Sequence, residues 1–133
     1  MSIKSGAVLI ATLCVSFVHP ASWAADPAQV KPHAFYVADF IPRDSAAIRP
    51  YSTRVESTFA PYSGRYVVRG GSVLPLEGVA PMGRMIVIEF DSLEQAKAWY
   101  DSLTYAELKP IRHAAGETNA YIMEASVAPP VSK

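Results

Sequence analysis

Met85 to Phe90 is apolar at nearly every position instead of alternating, and no other stretch limits the folds open to this chain so sharply. A strand of that kind has both faces covered. Helices of its own chain can cover one face, but the sequence has only two helical regions and little left for the other. A second subunit is the economical cover. The run therefore predicts a sheet that packs on helices on one side and on a copy of itself on the other.

The rest of the chain supplies the other parts of such a sheet. His33 to Ile41 is rich in aromatic and β-branched residues and stops at Pro42, which reads as a first strand. Asp44 or Ser45 can cap a helix whose Ile48, Tyr51, Val55 and Phe59 fall on one face, with Pro50 an irregularity near its start and Pro61 and Gly64 ending it. Arg65 to Arg69 has strand character and runs into Gly70-Gly71, a place for a bulge or a sharp change of direction, with Ser72 to Leu76 prolonging the edge. Ser92 and Gln95 form a capping box ahead of a helix striped by Leu93, Ala96, Tyr100 and Leu103. Thr104 and Glu107 repeat that device, and Asn119 to Ala125 is a final strand. The order is βαββαβ, which predicts an α+β, ferredoxin-like domain: a four-stranded antiparallel sheet with helices on one face.

The domain occupies residues 33–126 of the 133, and half of the chain is apolar, enough for a packed core. Residues 1–24 read as a secretory signal peptide, with a basic start at Lys4, an apolar stretch from Ala7 to Val18, and small residues Ser22 and Ala24 before the cut. That stretch is shorter than the roughly 20 residues a membrane span needs, so the processed protein is expected to be exported, periplasmic or secreted, without stable membrane association. Residues 25–32 read as a flexible lead-in and 127–133 as a loose tail. Cleavage removes Cys14, the only cysteine, so disulfides and thiol chemistry are not expected of the mature domain.

Twelve basic residues stand against twelve acidic ones, spread without a cluster, which argues against nucleic acid as a partner. No metal-ligand spacing and no nucleophile motif stands out, and no cofactor is called for.

The ordered series Val68-Arg69-Gly70-Gly71, Leu76-Glu77-Gly78, Val87-Ile88-Glu89-Phe90, Ala98-Trp99-Tyr100 with Ser102 and Tyr105, and Leu108-Lys109-Pro110 with Arg112 resembles the bacterial domain of unknown function DUF1330. That resemblance implies a dimeric α+β barrel, in which two four-stranded sheets close face to face. Its structural relatives include cofactor-independent monooxygenases and isomerases, but a shared fold does not carry a shared reaction.

Strand parity singles out the candidate site residues. If Ile86, Ile88 and Phe90 lie under the helices, Glu89 faces the space between sheets and needs a partner; Arg69, on the same face as Arg65 and Val67 by simple alternation, is the candidate. Glu89, Arg69 and His113 are the candidate catalytic groups, with a structural Arg69–Glu89 ion pair as the competing account. Tyr36, Trp99, Tyr105 and Arg112 are the candidate ligand-binding residues, the arginine as a clamp for a carboxylate. A cavity of roughly 300 Å³ lined by Trp99 and Arg112 would fit these roles. The leading expectation is a homodimer binding a small organic ligand, carboxylate-bearing ligands included. The alternatives are a cofactor-independent monooxygenase or isomerase, and a structural or stress-associated dimer.

Overall fold

The computed structural model describes residues 31–126, besides Ser2; the signal segment, most of the lead-in and the tail lie outside the described residues. Four strands, β1 (Ala34–Pro42), β2 (Arg65–Arg69), β3 (Arg84–Phe90) and β4 (Gly116–Glu124), form one sheet in the order β2-β3-β1-β4. Every neighbouring pair is antiparallel. The fold is α+β and ferredoxin-like, as the element order predicts.

The register sorts the side chains. Tyr36 lies opposite Ile88 on one side and Ile122 on the other, so Ala34, Tyr36, Ala38 and Phe40 share a face with Ile86, Ile88 and Phe90. This face lies under the helices, and Ala34, Tyr36, Ile88 and Phe90 are almost wholly buried. The opposite face carries Phe35, Val37, Met85, Val87 and Val68, joined by Tyr121 and Met123 of β4. Tyr121 and Met123 are 58% and 50% exposed, so apolar surface on this side faces outward from the single subunit. The two-sided apolarity of Met85 to Phe90 is thus divided between a filled face and an open one.

Between β1 and β2 the expected helix is split into α1 (Arg49–Ser52) and α2 (Val55–Phe59). Pro50 sits in the first turn of α1, where its missing N–H costs nothing. Asp44 Oδ1 accepts from the amides of Ala46 and Ala47, making a turn ahead of α1 rather than a cap on it. After β3 come α3 (Leu93–Tyr100), α4 (Leu103–Ala106) and α5 (Lys109–Ala115). Ser92 Oγ accepts from Gln95 N, as the capping box predicts. The second cap is Ser102, accepting from Tyr105 N, and not Thr104, because α3 ends at Tyr100 and the chain restarts two residues earlier than its second box suggests. The same break leaves Leu103 84% exposed and makes Trp99, with Ala96, fully buried on α3.

Trp99 is the hub of the core. Its ring centroid lies 4.3 Å from that of Tyr105, 5.2 Å from Tyr36 and 5.3 Å from Phe90, and its indole N–H donates to Thr58 Oγ1 at 3.0 Å. A buried indole needs such an acceptor. At the far end of β2, Gly70 and Gly71 both take positive φ, 76° and 125°, and turn the chain off the sheet. Ser72 to Leu76 accordingly forms part of a loop instead of prolonging the edge strand, with Leu74 and Leu76 more than 80% exposed.

Candidate functional site

The pairing of Glu89 differs from the one that alternation predicts. A register shift between Tyr66 and Val68 places an extra residue, Val67, in the edge strand. Arg65 stays opposite Glu89 on the open face, but beyond the bulge Val68 takes that face and Arg69 turns to the helix side. Glu89 is therefore bonded by Arg65 Nε at 3.0 Å and by His33 Nδ1 at 2.5 Å, while Arg65 also reaches Asp91 at 3.0 Å. The hydrogen bond from His33, followed by the Arg65 guanidinium, holds the Glu89 carboxyl below its usual range. Arg69 instead meets Glu56 at 3.4 Å and the Ser52 carbonyl at 3.3 Å, and lies over the Tyr66 ring. Glu89 and Arg69 are on opposite sides of the sheet and cannot act on one reacting atom.

The helix side holds a cavity of about 90 Å³ between the sheet and the segments carrying α1, α2 and α5. Ala38, Phe40 and Ile86 form its apolar floor, and Ile48 and Val55 its opposite wall. It is smaller than the sequence suggests and lacks Trp99 and Tyr105 in its lining, because those rings fill the adjoining core.

What distinguishes the cavity is its polar lining. Arg112 comes from α5, is only 5% exposed, and meets no carboxylate among the described residues. One terminal nitrogen lies 3.2 Å from His113 Nε2, whose ring is on the exposed side of the helix, but Arg112 Nε has no hydrogen-bond partner. Tyr36 Oη, beside the Tyr105 phenol but outside hydrogen-bond geometry with it, and Thr118 Oγ1 are also buried without geometric partners among the described residues, and all three residues line the same cavity. Buried polar groups are satisfied in the great majority of cases, so three unpaired atoms on one small cavity form a coherent set.

Tyr51, also in the lining, carries its hydroxyl 3.3 Å from that of Tyr105. Burial pushes the phenols of Tyr36, Tyr51 and Tyr105 far above their ordinary range, so each stays neutral and able to donate at any working pH. Arg112 is charged throughout. An uncompensated guanidinium, a neutral phenol and a hydroxyl are together matched to an oxyanion, whose lone pairs accept from several donors at once.

Of the residues singled out from the sequence, Tyr36 and Arg112 line the cavity and Arg69 stands at its rim. Trp99 and Tyr105 lie in the core beside it, His113 is behind Arg112, and Glu89 is across the sheet. Tyr51, Thr118 and Arg84 are lining residues that sequence reasoning passed over. Tyr51 belongs to a visible helical stripe and reads as core; Thr118 and Arg84 stand at strand ends, where no periodic signal sets them apart.

A second depression, about 430 Å³, is a more open groove between α3 and β4, lined by Leu93, Lys97, Tyr100 and Tyr121. Among the described residues, Tyr36 is the one that brings an unpaired buried polar atom to it, and Tyr36 lines both spaces.

The sheet order and the helical layer define the subunit fold of the dimeric α+β barrel class. The chain belongs to the family described as a domain of unknown function, DUF1330, whose model matches residues 33–126. No curated protein matches the sequence. A protein of unknown function from Rhodopseudomonas palustris is similar in structure, with 15% identity, a TM-score of 0.60, and 74% of this chain and 85% of that one covered. SnoaB, a cofactor-independent oxygenase from Streptomyces nogalater, aligns at 14% identity and a TM-score of 0.53 over 74% of this chain and 98% of its own. A conserved protein of unknown function from Bacteroides thetaiotaomicron, described as a possible oxidoreductase, aligns at 12% and 0.50 over 71% and 99%. At these identities the likeness shows the fold alone.

Proposed function

We propose that this domain is an exported, homodimeric binding protein for a small carboxylate-bearing organic molecule, held in the cavity beneath α1 and α5. One observation carries the reading: among the described residues Arg112 is buried without a counter-charge, and its Nε–H shares a cavity with the hydroxyls of Tyr36 and Thr118, which have no geometric partner there either. Burying a lone charge costs several kcal/mol, and a ligand carboxylate accepting from these donors offsets that cost on binding.

The catalytic alternative shares this oxyanion site but also needs a group that takes a proton. Among the described residues in the lining there is no aspartate, glutamate or histidine. Binding is therefore the better-supported function, with cofactor-independent turnover second. The homodimer is supported by the apolar open face of the sheet, where Val37, Val87 and Val68 stand side by side on neighbouring strands. Export rests on the signal segment at residues 1–24.

Calorimetric titration of the processed protein with a panel of small carboxylic acids tests the reading. Binding of at least one acid is expected, weakened tenfold or more by Arg112→Met, consistent with loss of a charge-assisted pair worth about 1.5–3 kcal/mol. No binding to the wild type, or equal binding to the variant, would leave the cavity as packing within a structural dimer.

A further inference from the structure

The cavity has a second cationic pole. Arg84, at the start of β3, lines it and has no acidic partner among the described residues, whereas Arg69 beside it is already paired with Glu56. The Arg84 guanidinium packs on the backbone of Gly70, so close that a Cβ there would lie 3.3 Å from its terminal nitrogen. The guanidinium thus stands beside the hairpin root, at the exposed rim of the cavity.

The register gives the backbone span of the sheet beneath the cavity. Arg84 on β3 and Thr118 on β4 are both paired with Phe40 of β1, one on each side. Two strand spacings, about 10 Å, therefore separate their backbones. Arg112 stands at the Thr118 end, since α5 leads directly into β4, and Phe40, Ala38 and Ile86 provide apolar floor between the ends. A buried cation at one end, an open cation at the other and hydrocarbon between them match a molecule with the same pattern in negative.

We infer that the ligand is a dianion, a small dicarboxylic acid with a short apolar spacer, whose inner carboxylate meets Arg112, Tyr36 and Thr118 and whose outer carboxylate meets Arg84. This inference rests on the carboxylate-binding reading above and adds the second charge. Arg84 determines selectivity between acids rather than binding as such.

The test compares succinate and glutarate with butyrate and pentanoate, each titrated into the processed protein at low salt. The dicarboxylates should bind about tenfold more tightly than the monocarboxylates of equal length, as expected when a second charge pair is made at low ionic strength. Arg84→Met should remove that preference, bringing the affinities for dicarboxylates and monocarboxylates of equal length together, and Arg84→Lys should keep part of it. Equal affinities for the two classes in the wild type, or a preference that survives Arg84→Met, would overturn the dianion inference and leave the carboxylate site standing. If neither class binds, the carboxylate reading itself fails. Unchanged melting temperatures in both Arg84 variants serve as the control for folding.

Discussion

Arg112 holds an uncomfortable position, a nearly buried guanidinium whose one side-chain partner among the described residues is an imidazole nitrogen. Stability alone would favour an apolar side chain there. In the ligand-free protein, Arg112→Met is expected to raise unfolding free energy by about 1–3 kcal/mol, the range seen when buried charges give way to packed hydrophobic groups; urea denaturation checks this. A loss of stability instead would mean that Arg112 is a structural anchor. Glu89 presents the opposite case, a carboxylate well supplied with donors. Its folded-state pKa lies below the ordinary 4.5, so the folded chain releases that proton more readily than the unfolded one. The stability it contributes is complete above about pH 4.5 and disappears as pH falls through the lower, folded value. Melting temperatures measured against pH should show wild type above Glu89→Gln at pH 6, with the gap closing in acid; a constant gap would deny the carboxylate this role.

At the scale of elements, one extra residue decides which arginine reaches which face. With Val67 bulged out, Arg65 serves Glu89 on the open face and Arg69 reaches the cavity rim. Deleting Val67 should straighten β2 while leaving Val68 opposite Val87 and Arg69 opposite Ile86 on the cavity side, and should lower stability by about 1–3 kcal/mol, the usual range for a change that disrupts local structure; an unaltered urea midpoint would count against a structural role for the bulge. The same feature shows what sequence could and could not convey. The βαββαβ element order, the capping box at Ser92 and the two faces of Met85 to Phe90 were legible because each depends on a local period or a local hydrogen bond. The partner of Glu89 was not, because strict alternation from Arg65 carries no sign of a bulge. Arg112 and Tyr36 were legible as candidates by side-chain chemistry, but their convergence depends on α5 packing against β4, the neighbour of β1 in the sheet. A stripe continued to Leu103 leaves Trp99 beside it, free to read as a cavity wall; α3 stops at Tyr100 instead, and Trp99 is core.

The whole molecule is proposed to be two such sheets closed face to face. Val87 sits on the open face between Val37 and Val68, so Val87→Lys should give a folded monomer in sedimentation experiments where the wild type sediments as a dimer. A monomeric wild type would remove the case for the barrel. The ligand site lies on the other side of the sheet, and its occupancy by an anion is the claim on which the functional account depends. The most direct measurement is a ¹⁵N-edited spectrum of the arginine side chains during titration with succinate. The account predicts that the Arg112 Nε–H resonance shifts and saturates as the acid binds, while exposed Arg49 and Arg54 stay in place. An Arg112 signal that remains unmoved at saturating acid would contradict it.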